Sequence, residues 1–167
     1  MEKRASEFFL VLAIILIAIL LTVSTYLKLL PLNFTVGPYR FTHWLSWIGT
    51  LFIAVFTPTF YVLRRRYPNR NAVLTRTHVF SNLISFSLIS IHFAQQMSRA
   101  IHPEDRTGLT IYILVSMLVV TGLIQRFQAT AKKGIYPPHR NRFLHISVTT
   151  TFYIVAVIHV SHVLGFF

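Results

Sequence analysis

Residues 142–166 read RFLHISVTTTFYIVAVIHVSHVLGF, an apolar run that carries His145 and His159. Fourteen residues separate the two histidines, which is about four turns of α-helix, so both side chains fall on nearly the same face. At about 1.5 Å per residue, they lie roughly 21 Å apart along the helix axis. The run is therefore predicted to be a helix that presents two imidazoles on one face at two depths.

Residues 77–99 read THVFSNLISFSLISIHFAQQMSR, and His78 and His92 repeat the fourteen-residue spacing. Two helices with matching histidine pairs can hold two bis-histidine sites, one above the other. Small polar residues interrupt this run and let another helix or a flat cofactor approach closely. They are Ser81, Ser85, Ser87 and Ser90.

The composition is that of a membrane protein. Hydrophobic residues make up 54% of the 167, and charged residues 12%, about half the roughly 25% of soluble proteins. The absence of cysteine excludes disulfides, iron–sulfur clusters and c-type haem attachment. The net charge of +12 comes from residues at the ends of apolar runs, which indicates membrane topology and lipid contact rather than nucleic-acid binding.

The apolar runs predict an all-α bundle of five transmembrane helices, forming one cytochrome b-like domain over residues 1–167. The first run is too long for a signal peptide and lacks a cleavage pattern, so it is expected to be a retained helix. The five predicted spans cover about residues 8–30, 41–63, 77–99, 107–124 and 142–166.

Loop charges predict the orientation. The loops after the second and fourth spans are strongly basic and contain no acid, whereas the loop after the third has Glu104 and Asp105 against Arg99 and Arg106. The positive-inside rule then places the N-terminus in the cytoplasm and the C-terminus outside, in a multi-pass protein of the cell membrane.

Spans three and five run in the same direction because one span separates them. His78 and His145 are then both expected near the cytoplasmic end, and His92 and His159 near the outer end. Each pair can supply two axial imidazoles to one haem iron, so two b-type haems are the predicted cofactors.

Further residues are assigned to the same site. Ser85 and Phe152 lie midway between the histidines of their runs, where a small residue leaves room and an aromatic fills the gap between macrocycles. Cationic partners for haem propionates are expected near both ends. The inner candidates are Arg76, Arg140 and Arg142, and the outer candidates are Arg40, Arg99 and His43.

Other interpretations of the histidines stay open. Any one of them can simply hydrogen-bond across a helix interface, and a proton relay or a first-row metal site is a further alternative. His162 competes with His159 as a ligand, although it lies about 100° further off the face. His43, His102 and His162 are candidates for a quinol or metal-reduction site, while His139 is expected on the surface.

The segment Asn141-Arg142-Phe143-Leu144-His145, with the aromatic-rich run to His159, resembles the fifth helix of the ferric reductase-like transmembrane domain. That superfamily includes NADPH oxidases, ferric reductases and the haem subunit of the bacterial methionine sulfoxide reductase system. The resemblance implies that the third and fifth helices hold two stacked b haems, with Phe152 between them. It also implies a sixth helix and, in many members, a fused flavin and nicotinamide domain, neither of which is predicted within these 167 residues.

The expected function is transmembrane electron transfer, as an oxidoreductase or as the membrane subunit of one. The donor is expected on the cytoplasmic side or as quinol: either a separate flavoprotein with its flavin, or quinol from the membrane quinone pool. The acceptor is expected outside, as ferric ion, oxygen or a redox protein. The alternatives are a quinol-oxidising cytochrome b anchor of a respiratory complex and a haem-free membrane scaffold or transport protein.

Overall fold

The computed structural model describes residues 2–99, 106–128 and 138–166, which fall into two compact units. The first unit holds residues 2–99, and the second holds the remaining described residues. Within these ranges, five helices are long and apolar enough to cross a membrane, as expected for a multi-pass membrane protein. They are α1 (Glu2–Tyr26), α2 (Phe41–Arg66), α3 (Asn71–Met97), α4 (Arg106–Gln128) and α5 (Pro138–Val163).

In the first unit, α3 packs against both α1 and α2. A short antiparallel hairpin, β1 (Thr35–Val36) and β2 (Tyr39–Arg40), precedes α2. The Trp44 indole fastens the hairpin to α2 by donating a hydrogen bond to the Val36 carbonyl at 2.9 Å. In the second unit, α4 packs against α5. The expected single domain over residues 1–167 stays a prediction.

Two helices end earlier than predicted because the backbone turns into the left-handed region. Lys28 has φ 60°, and the Leu29 N–H donates to the Ser24 carbonyl at 2.9 Å, which closes α1 at Tyr26. Gly165 has φ 74° and ends α5 in the same way. Both ends are Schellman-type caps. Glycine signals such a cap in the sequence, whereas lysine does not.

The other ends lie at or beyond their predicted positions, except that α3 ends at Met97, two residues before the predicted end at 99. A 3₁₀ turn at Pro68–Arg70 leads directly into α3, which therefore begins at Asn71, six residues before the predicted start. Proline is well suited to this first turn because its missing N–H has no helical partner there. A helix can continue through polar and basic residues beyond its apolar run. A prediction from hydropathy ends with the apolar run and misses this extension.

The α2–α3 contact depends on a glycine. A Cβ added to Gly49 would lie 2.9 Å from the Ser85 carbonyl oxygen and 3.1 Å from Ile89 Cγ1. Backbones come this close only where one residue has no side chain, as is common between membrane helices. The small residues of α3 were predicted to let another helix or a flat cofactor approach closely. Beside the Ser85 backbone, the close neighbour is the helix α2.

Gln95 joins the loop before α2 to both α2 and α3. Only 3% of its surface is exposed, and its side-chain NH₂ donates to the Leu32 carbonyl at 2.9 Å and to Asn33 Oδ1 at 3.0 Å. Its amide oxygen accepts a hydrogen bond from the fully buried Thr42 hydroxyl. One side chain of α3 thus satisfies polar groups from two other segments of the first unit, the loop and α2.

Gln95→Leu is expected to destabilise the protein because it leaves the buried Thr42 hydroxyl without its acceptor, at about 1–3 kcal/mol. Thermal unfolding in detergent should show a midpoint lowered by about 2–4 °C for each kcal/mol lost. Gln96→Leu is the matched control, since Gln96 makes one long contact, 3.5 Å to His43 Nε2. Equal midpoints for the two variants would contradict the bridging role of Gln95.

Candidate functional site

Both α5 histidines hydrogen-bond to threonines of α4. His145 Nδ1 lies 2.8 Å from the Thr121 hydroxyl oxygen. His159 Nδ1 lies 2.9 Å from the Thr107 hydroxyl oxygen. Both rings are partly buried, and each is held through the same ring nitrogen, Nδ1. At His145 the opposite nitrogen, Nε2, is the one that can face a ligand.

The hydrogen-bond chain at Thr121 assigns the tautomer of His145. The single hydroxyl proton of Thr121 is donated to the Met117 carbonyl, one turn earlier in α4, at 2.7 Å. With that proton directed to the carbonyl, the hydroxyl oxygen accepts from His145, which favours the tautomer with the proton on Nδ1 and a lone pair on neutral Nε2. Among the described residues, Nε2 of His145 has no hydrogen-bonding partner. A lone pair in this position is what a metal ligand requires.

A glycine follows each of these threonines, and each lies against the same imidazole. A Cβ on Gly122 would lie 3.4 Å from His145 Cε1, and one on Gly108 would lie 3.7 Å from His159 Cε1. The pair Thr-Gly thus occurs twice in α4, fourteen residues apart, matching the histidine spacing of α5. Because the helices are antiparallel, the second pair faces the first histidine. The sequence analysis missed these residues, although the repeated pair was visible in it.

The first turn of α5 also contacts Thr121 of α4. Asn141 is 5% exposed, and its side-chain amide donates to the Thr121 carbonyl at 3.0 Å. Thr121 therefore contacts α5 twice, through its carbonyl at Asn141 and through its hydroxyl at His145. These two contacts set the register of α5 against α4 at the level of His145.

On α3, His78 is held by an aromatic ring and an amide. Its imidazole stacks on Phe60 of α2 at 4.4 Å between centroids and 15° between planes. The Asn82 amide nitrogen, one turn further along α3, lies 3.2 Å from its Nε2 and 3.4 Å from its Nδ1. The guanidinium of Arg64 lies 5.7 Å from the Phe60 centroid. Thus α2 supports His78 by packing, whereas α4 supports His145 by a hydrogen bond.

His92 also meets α2, at the opposite end of the unit. Its ring lies 4.8 Å from that of His43, edge to face at 69°. Tyr39 in the hairpin lies 6.4 Å from His43 on another side. His43, predicted near the outer surface, is therefore a direct neighbour of one predicted haem ligand. His102, its proposed companion, lies outside the described residues.

The remaining predicted site residues are found in varied settings. Ser85 is fully buried and donates to the Ser81 carbonyl at 2.8 Å, and Phe152 is 1% exposed. The Arg76 guanidinium lies 5.6 Å from the Phe80 centroid, and Arg99 donates to Asn33 Oδ1 at 3.2 Å. The exposed residues are Arg40, Arg76, His139, Arg140, Arg142 and His162.

The four predicted ligands divide between the units. His78 and His92 belong to the first unit, and His145 and His159 belong to the second. The pairing of His78 with His145, and of His92 with His159, stays a prediction. Within residues 2–99, 106–128 and 138–166, no group of three or more His, Cys, Asp or Glu side chains could hold a metal ion. Haem iron differs from such sites in taking at most two axial ligands from the protein.

No family model, curated protein or solved structure matches the chain. In the part of the chain that the structure describes, the fold is helical, with five helices long and apolar enough to cross a membrane. Its function is therefore argued from its own residues.

Proposed function

We propose that this protein is a membrane cytochrome b that transfers electrons across the bilayer through two bis-histidine b haems. The observation that carries the proposal is the geometry of α5. Two histidines, fourteen residues apart, each hydrogen-bond through Nδ1 to a threonine of α4. Together with the same spacing of His78 and His92 in α3, this gives four imidazoles suited to axial ligation.

The donor chemistry of these residues fits haem iron. Ligand histidines characteristically donate their second ring N–H to a neighbouring acceptor, which orients the ring and raises its basicity. His145 has this arrangement through Thr121. In the proposal, His78 and His145 hold the inner haem, and His92 and His159 hold the outer one. When bound, the haems supply a one-electron carrier at each level of the membrane.

The protein's own part is to position the ligands and exclude water. Phe152, buried midway between the α5 histidines, separates the two levels, and Ser85 occupies the same midpoint of α3. Arg76, Arg142 and Arg99 are the proposed cationic partners of the haem propionates. No acid–base group is required, because the transferred species is an electron.

Electrons enter on the cytoplasmic side and leave outside, in the orientation that the basic loops favour. The donor is a separate flavoprotein or membrane quinol, and the acceptor is ferric ion, oxygen or an extracytoplasmic redox protein. The chain thus acts as a ferric reductase-like oxidoreductase of the plasma membrane, or as the electron-transfer subunit of one.

The spectrum of the purified full chain tests the proposal. Reduction with dithionite is expected to produce b-type α and β bands, and the pyridine haemochrome assay should give two haems per chain. A colourless protein, after expression with added haem precursor, would overturn the proposal in favour of a haem-free scaffold or transporter. One haem per chain would overturn the two-site arrangement.

The donor is tested in proteoliposomes. Haem reduction by a flavin reductase with NADPH on one side, insensitive to quinol-site inhibitors, supports a flavoprotein donor. Reduction by a membrane quinol that such inhibitors block would instead assign the chain to the quinol-oxidising anchors of respiratory complexes. Ferric ion or oxygen on the opposite side then reoxidises the haems if electrons cross the bilayer.

A further inference from the structure

We infer that α4 is a positioning helix, whose duplicated Thr-Gly pair orients the two α5 imidazoles for ligation through Nε2. The inference rests on the proposed function, because it specifies how two of the proposed ligands are held. The positioning residues are Thr107, Gly108, Thr121 and Gly122.

The threonines act through their hydroxyls. At Thr121, the proton donated to the Met117 carbonyl leaves the oxygen as an acceptor for the His145 Nδ1–H. This arrangement selects one of the two neutral tautomers and restrains rotation of the ring. A serine can make the same two hydrogen bonds, whereas valine has nearly the same shape but neither donates nor accepts.

The glycines act by leaving room. A Cβ at position 122 would already be in van der Waals contact with the His145 imidazole, at 3.4 Å from Cε1 and 4.0 Å from Nδ1, so a branched side chain there would crowd the ring. At position 108 the corresponding distance to His159 is 3.7 Å, an ordinary contact. A branched side chain at position 122 is therefore expected to push the ring away from Thr121.

The two α5 histidines differ in how strongly the neighbouring threonine favours one tautomer. Thr107 is the second residue of α4, so no carbonyl of that helix lies four residues before it. Among the described residues its hydroxyl contacts no backbone carbonyl, so Thr107 can either donate to or accept from His159. Thr121 has only the accepting role. Loss of the hydroxyl should therefore have the larger effect at His145.

The hydrogen bond also has an electronic consequence. An acceptor on Nδ1–H increases electron donation from Nε2, which favours ferric over ferrous iron and lowers the reduction potential. Removing the acceptor should raise the midpoint potential of the haem that His145 ligates. The other haem should keep its potential, because Thr107 and His159 are unchanged.

The experiment compares Thr121→Val, Thr121→Ser and the parent chain by redox titration and by electron paramagnetic resonance of the ferric haems. Thr121→Val is expected to raise one midpoint potential, shift the ferric signal of the same haem, and weaken its retention by about 10- to 100-fold. Thr121→Ser should restore the parent values. The matched control is Thr150→Val, on the exposed side of α5, where the hydroxyl binds only the Ile146 carbonyl at 3.1 Å.

Thr107→Val and Gly122→Val give the inference independent support if Thr121→Val does not fold. The first should shift the other haem, by less, and the second should alter the same haem as Thr121→Val while keeping the hydroxyl. Two haems with parent potentials and signals in every folded variant would overturn the positioning role and leave the proposed function standing. Absence of haem from the parent chain would overturn the proposed function itself.

Discussion

Replacing His159 by alanine is expected to remove one haem and leave the other. Alanine offers no lone pair, and a bis-histidine haem that loses one axial ligand binds far more weakly. His92→Ala should remove the same haem, whereas His145→Ala and His78→Ala should remove the other. Haem counting by pyridine haemochrome, followed by redox titration, distinguishes one remaining haem from two.

The matched control for this experiment is His162→Ala. His162 lies on the same helix, three residues further on, and is exposed. It should retain both haems. If His162→Ala lost a haem and His159→Ala did not, the ligand would be His162. If all four single variants kept two haems, the assignment of His78, His92, His145 and His159 would be wrong.

The double variant His92→Ala/His159→Ala tests the pairing. If these residues ligate one iron, the double variant loses no more haem than either single variant. If they belong to different haems, the double variant loses both. The double variant therefore tests whether His92 of α3 and His159 of α5 share one iron. That pairing is a prediction, because the two helices belong to separate units.

Gly49→Val is expected to destabilise the first unit strongly. The new Cβ would lie 2.9 Å from the Ser85 carbonyl oxygen, a backbone atom that cannot move without shifting α3. Overpacking of this kind typically costs about 1–3 kcal/mol. Thermal unfolding in detergent should show a lower midpoint or a failure to accumulate folded protein.

Ala54→Val is the control for that measurement. Ala54 is an exposed residue of the same helix, so the substitution adds a similar branched side chain without a neighbour to meet. Trimming Ile89 to alanine should not rescue Gly49→Val, because the closest atom is the carbonyl rather than the Ile89 side chain. Equal unfolding midpoints for Gly49→Val and Ala54→Val would contradict the close α2–α3 contact.

The helix ends show where hydropathy is a poor guide. Apolar length predicted five spans, and five suitable helices are present among the described residues. The end of α1 at Tyr26 depends instead on Lys28 adopting φ 60°. Lysine rarely adopts this conformation, so a lysine in the sequence does not predict that a helix ends there. At Gly165 the same cap was readable, because glycine adopts positive φ without a steric penalty.

The candidate site was predicted only in part. The spacing of the histidines follows from helix geometry, and the sequence alone contains it. The neighbours of the histidines do not follow from spacing. Phe60 beside His78, His43 beside His92, and Thr121 beside His145 all come from other helices. The Thr-Gly pairs of α4 contain neither an ionisable nor an aromatic residue, so the pattern that marks the histidines does not mark them.

The sequence by itself determined that the chain has apolar runs long enough for five spans and that two of them carry histidines fourteen residues apart. Both properties are local. The length of a span depends on its own apolar residues, and whether two histidines share a helix face depends only on the helical repeat. Only the tertiary structure decided the register of α4 against α5. That register brings Thr121 to His145 and Thr107 to His159, and it assigns the proton of His145 to Nδ1. The register between two helices depends on how their side chains pack together, and residue spacing within one helix does not reveal it.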